Sequence, residues 1–158
     1  MTNKISFAFK SLKPLSMNGL YKTVMTKDRY GKTKPRRAKS KKGVDYEKRI
    51  KLELLNRRYE INKFETETSV YESFLTSTIV CEVPKSKLVT KKDGGVSKTS
   101  IDVDNISKAL TDNIFSFFNK LDDSIICSTH VVKRFSPDNN YNIYVEFTRR
   151  ELIELDDL

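Results

Sequence analysis

The chain has 158 residues, enough for one domain with its own core, and its mean hydropathy of −0.55 describes a polar globular protein. Nothing in it approaches the roughly 18 consecutive apolar residues that span a bilayer, and MTNKISFAFKSLKP lacks the apolar run of a secretory signal, so a cytoplasmic protein without membrane attachment is expected. Lys and Arg number 30 against 21 Asp and Glu, and residues 1–63 carry 19 basic and 5 acidic residues while residues 64–158 carry 11 and 16. A basic half joined to an acidic half suits a protein that grips a polyanion and acts on it with carboxylates.

In chain order, Ile5 to Phe9 alternates as IxFxF and predicts a short strand, and Pro14, Asn18 and Gly19 then mark a turn. Residues 27–42 hold nine Lys or Arg against the single acid Asp28, without apolar periodicity, and predict an exposed, flexible loop. Tyr46, Ile50 and Leu54, flanked by Leu55 and Tyr59, predict an amphipathic helix over 45–59 with Asp45 as its N-cap. Phe74 to Val83 is rich in β-branched residues and predicts a strand. Residues 85–100, with Asp93-Gly94-Gly95 and several lysines, predict a second basic flexible loop or hairpin tip.

Next, Ile106, Ala109, Leu110, Ile114, Phe117 and Phe118 space out a helix that Asp104 is placed to cap and that ends near Asn119-Lys120. Leu121-Asp122-Asp123-Ser124 reads as a tight turn. Strands over 125–135 and 141–147 follow, joined through SPDNN in a hairpin-like connection. Residues 151–158 form an acidic tail or a short final helix. The pattern predicts a single α+β domain over 1–150, a small mixed sheet with packed helices.

Asp102 and Asp104 lie two apart, which in extended chain turns both side chains to one side. Asp122-Asp123 return after the helix, and the strand from Ile125 brings them close if it lies against the strand preceding Asp102. Clustered acids can hold Mg²⁺, a hard cation that prefers oxygen ligands and activates water for phosphodiester hydrolysis. Spacing alone leaves the other reading open: Asp104 as a simple helix cap and Asp122-Asp123 as a simple turn. Cys81 and Cys127 lack metal-ligand spacing and read as buried free thiols, and the single histidine, His130, as a packed or surface residue.

The segment DVDNISKALTDNIFSFFNKLDDSII resembles the signature of the RusA family of Holliday junction resolvases, with Asp102, Asp104, Asn105, Lys108 and Asp112 in register and Asp122-Asp123 at a fitting distance. The resemblance extends over most of residues 4–149, though its specific part is 102–133; Ile101 stands where the family often has Pro, and the 27–42 segment is long. It implies a RusA-like fold, Asp102, Asp104 and Asp123 as metal ligands for Mg²⁺ or Mn²⁺, and Lys108 as the catalytic lysine. Asp112 would orient Lys108 or a water, and Asn105 and Asp122 would support the loop and turn. It further implies a homodimer, often phage- or prophage-encoded, that nicks paired strands of a four-way DNA junction in recombination and repair. Lys34, Arg36, Arg37 and Lys39 are the expected contacts to the DNA backbone. Two alternatives are a non-catalytic basic DNA-binding protein and a protein-interaction adaptor.

Overall fold

The computed structural model describes residues 3–70, 72–90, 94–97 and 100–158. The architecture is α+β. A four-stranded sheet is built from β1 (Lys4–Phe9), β4 (Ser73–Val83), β5 (Ile126–Phe135) and β6 (Asn142–Glu151) in the order β1-β6-β4-β5. The β1–β6 and β6–β4 pairs are antiparallel and the β4–β5 pair is parallel, so the sheet is mixed. β6 inserts between β1 and β4. The SPDNN connection therefore crosses over β4 and is not a hairpin, because β5 and β6 are not neighbours.

Alternation sorts the strands into two faces. Ile5, Phe7 and Phe9 of β1, Leu75, Ile79 and Cys81 of β4, and Ile143, Val145 and Phe147 of β6 point into the core. The opposite face carries Ser6, Ala8, Thr78, Tyr144 and Glu146, exposed or half-buried. Three helices supply the second layer: α2 (Lys41–Asn56), α3 (Arg58–Val70) and α5 (Val103–Phe115). α2 seals the core with Tyr46, Ile50 and Leu54, as their four-residue spacing requires. It begins earlier than expected. Ser40, not Asp45, is its N-cap and accepts from the Gly43 amide at 2.9 Å.

Helix α3 lies where no element was anticipated. Its buried positions are Ile61, Phe64, Glu65 and Thr68, a helical spacing in which half the inward residues are polar. Such a stripe does not register as apolar periodicity.

The basic segment 27–42 is also more ordered in its pairing than a loop. β2 (Tyr21–Lys27) and β3 (Thr33–Lys39) form a two-stranded antiparallel hairpin, entered through the short helix α1 (Met17–Leu20). Its strands are almost wholly exposed, so no buried face marks them in the sequence. The hairpin base is fixed to α2: the Ser40 amide donates to Leu20 O at 2.9 Å and its hydroxyl to Gly19 O at 2.6 Å. Gly43 is required there, because a Cβ would stand 2.2 Å from Leu20 O.

Within 85–100, α4 (Lys85–Leu88) and a Val89–Val96 bridge are described, while Lys91, Lys92, Asp93 and Lys98 lie outside the described residues. The acidic end forms a 3-10 helix, Leu152–Asp157, with a capping box between Glu151 and Glu154. Among the described residues no helix is long and apolar enough to cross a membrane. Cys81 is buried as expected, whereas Cys127 is exposed, because β5 is the sheet's edge strand.

Candidate active site

Helix α5 carries most of the candidate chemistry. Ile106, Ala109, Leu110 and Ile114 are buried, and the opposite side presents Asp104, Lys108 and Asp112 at four-residue intervals. The helix starts sooner than expected. Asp102 is its N-cap and Asp104 lies in its first turn, so the two are not side by side on an extended chain. The Asp102 side chain makes no capping hydrogen bond, which leaves its carboxylate outside the helix's own bonding. Both acids sit at the positive end of the helix dipole, where a carboxylate is favoured.

The helix also stops sooner, at Phe115 with Ser116 as C-cap, so Lys120 does not serve its C-terminal dipole. The ring of Phe115 stacks tilted on Phe118 at 4.8 Å and edge-on against Phe147 of β6 at 5.4 Å. Phe118 is buried in the core, and half-buried Phe117 lies under the Arg58 guanidinium at 5.0 Å.

Asp122 and Asp123 follow in the turn that begins a 3-10 segment, Asp123–Ile125. The Asp122 carboxylate caps it, accepting from the Ser124 amide at 2.9 Å, which holds Asp122 below the usual carboxylate range. Parallel pairing of β5 with β4 returns the chain to α5, as the strand argument required. Asp123 meets Asp112 there. Burial pushes the Asp112 carboxyl above its ordinary range; Lys108 opposes this, and the charge of Asp123 and a hydrogen bond with it add to it.

Asp112 and Asp123 are thus brought together from α5 and the turn before β5. Asp102 and Asp104 stand apart from that pair, Asp104 being about 12 Å along the helix axis from Asp112. Among the described residues, no three or more His, Cys, Asp or Glu side chains group closely enough to hold a metal ion. The donors nonetheless suit a hard cation: they are all oxygens, Asp102 is not engaged in capping, and Asp112 and Asp123 are like charges in contact. Mg²⁺ commonly uses one or two protein carboxylates, so a full protein cage is not needed.

Two side chains tie down the acid-bearing segments, and one of them, Glu65, carried no signal in the sequence. Lys133 of β5 donates to Ser100 Oγ at 2.8 Å and to Ile101 O at 3.0 Å, fixing the chain as it enters Asp102. Glu65 of α3, 1% exposed, accepts from the amides of Lys120 at 2.7 Å and Leu121 at 3.2 Å, fixing the chain as it enters Asp122-Asp123. Lys120 Nζ adds a 2.7 Å bond to Thr66 Oγ1 on the same helix.

The basic hairpin stands beside this face. A cleft of about 100 Å³ is lined by Tyr21 and Lys39 from the hairpin base, by Gly43 and Glu47 of α2, and by Asp112 of α5. The four expected DNA contacts divide between the hairpin's faces. Arg37 and Lys39 lie on one, with Arg37 over the Tyr21 ring at 4.1 Å and Lys39 paired to Glu47. Lys34 and Arg36 lie on the other, with Lys34 paired to Asp28 at 3.2 Å. His130 is exposed on the edge strand.

Residues 22–147 match the family model described as Endodeoxyribonuclease RusA. No curated protein matches the chain.

Proposed function

The chain belongs to the RusA endodeoxyribonuclease family, and from that premise we propose that it is a divalent-metal-dependent endonuclease that resolves four-way DNA junctions by paired nicks. The observation that carries the reading is the contact of Asp112 with Asp123 on a Lys108-bearing helix face, reached from the base of a strongly basic hairpin. Asp102, Asp104 and Asp123 would supply carboxylates for Mg²⁺, or Mn²⁺ in its place, one or two to an ion given the separation of Asp104 from the Asp112–Asp123 pair, and the bound metal would supply Lewis acidity to the attacking water and the leaving 3′ oxygen.

The remaining chemistry belongs to side chains of the protein. Lys108, one turn beyond Asp104, offsets charge that builds on the scissile phosphate. Asp112, one turn beyond Lys108 and beside Asp123, keeps Lys108 directed along the helix face. Lys34, Arg36, Arg37 and Lys39 bind phosphates on either side of the hairpin, an interaction that is independent of sequence and weakens with salt. One chain offers one such centre, so paired nicks across a junction require a second copy.

The absence of a three-acid group among the described residues favours one second reading, DNA binding without hydrolysis. Incubation with a labelled four-way junction, in Mg²⁺ and in EDTA, separates them. The nuclease reading expects paired nicks in Mg²⁺ alone, lost in Asp104→Asn while binding persists. Binding without nicking under every condition would leave only the second reading, and no retention of DNA would point to an adaptor.

A further inference from the structure

The tip of the basic hairpin is built to present one aromatic ring. Residues 28–32 close the β2–β3 turn through the Asp28 carboxylate, whose Oδ1 accepts from the amides of Tyr30 at 2.9 Å and Lys32 at 3.0 Å. The Gly31 amide donates to Asp28 O at 3.0 Å, and Gly31 adopts φ +75°, a conformation that any other residue here would enter with strain. The one acid of the tip is thus committed to the turn and to Lys34. On this fixed loop the Tyr30 ring is 74% exposed, and the Arg29 guanidinium lies 4.8 Å from its centroid.

An exposed aromatic alone means little on a protein surface. Here it crowns the most basic element of the chain, with Lys27, Arg29, Lys32 and Lys34 around it. A flat ring backed by a guanidinium and ringed with cations matches the face of a nucleobase with its phosphates. Bases inside an intact duplex offer no free face. Those at a branch point, where stacking is interrupted, do.

The seven paired positions from Tyr21–Lys39 to Lys27–Thr33 span about 20 Å at strand rise. The hairpin base lines the cleft that includes Asp112, so the tip meets DNA well away from a phosphate held at the acids.

We propose that Tyr30, backed by Arg29, is a stacking platform for a base exposed at the branch point and makes the protein prefer branched over linear DNA. The proposal rests on the nuclease reading only for its substrate, and binding measured in EDTA tests it apart from cleavage. The probes are a four-way junction with 2-aminopurine beside the crossover and a linear duplex of matching sequence. Tyr30→Ala is expected to lower the junction-to-duplex affinity ratio by roughly 5- to 100-fold and to relieve the wild-type quenching of 2-aminopurine. Tyr30→Phe should keep both, and Arg36→Ala should weaken junction and duplex alike. A Tyr30→Ala variant with an unchanged ratio, or with equal losses on both DNAs, would overturn the proposal while leaving the nuclease reading intact. Wild-type protein that retains neither DNA would overturn both.

Discussion

Lys108 stands one helical turn from both Asp104 and Asp112, so substitution there separates phosphate neutralisation from the holding of a cation. Lys108→Ala is expected to slow junction cleavage by about 10²–10³-fold, the usual cost of losing one group that meets transition-state charge. Its Mg²⁺ dependence should keep the same midpoint, and a shifted midpoint at unchanged maximal rate would place Lys108 in ion holding instead. A second residue-scale prediction concerns acid stability. Asp138, in the β5–β6 connection, is held down to about 2 by the Ser136 hydroxyl, the Asn140 amide and the Asn142 side chain. A depressed carboxylate contributes stability that is complete above about pH 4 and fades as pH falls through about 2. Asp138→Ala should therefore melt below wild type at pH 7, and the gap should close between pH 4 and pH 2. A gap that widens toward low pH would contradict the assignment.

At the scale of elements, the outcome depended on whether a residue's role was written in its neighbours along the chain. α2 was legible because Tyr46, Ile50 and Leu54 are apolar at four-residue spacing, and β4 because its residues favour strands. α3 was not, because Glu65 and Thr68 hold inward positions for bonds formed with chain far away or with their own helix. The hairpin was missed because a two-stranded ribbon in solvent needs no alternation. At the site, the Asp102-Asp104-Lys108-Asp112 spacing was visible, yet Asp112's contact with Asp123 depends on β5 pairing parallel to β4. Glu65 acts on backbone amides, for which a sequence has no distinguishing letter. Glu65→Ala strips the Lys120 and Leu121 amides of their acceptor and should cost about 1–3 kcal/mol in stability. It should also raise the Mg²⁺ concentration needed for half-maximal cleavage, while Glu65→Gln, which keeps an acceptor oxygen, restores most of that midpoint. Equal midpoints in Glu65→Ala and wild type would confine Glu65 to the fold.

For the whole molecule, the charge asymmetry of the sequence resolves into two adjoining structures. The basic residues of 27–39 extend on the β2–β3 hairpin, and Asp102, Asp104, Asp112, Asp122 and Asp123 are spaced along α5 and the turn before β5. Both are mounted on one core, with Gly43 and Ser40 fastening the hairpin base to α2 and the Phe115-Phe118-Phe147 cluster joining the end of α5 to the sheet. A centre that cuts DNA needs both, and losing either should leave a different remainder: grip without cleavage, or cleavage machinery without grip. The most direct measurement is the single-turnover rate on a four-way junction in Mg²⁺ for wild type and Asp123→Asn, with the junction Kd of each taken in EDTA. Two orders of magnitude or more should be lost from the rate while the Kd stays within about twofold. Unchanged cleavage in Asp123→Asn would contradict the account, because the acids of α5 and its facing turn would then not be the hydrolytic centre.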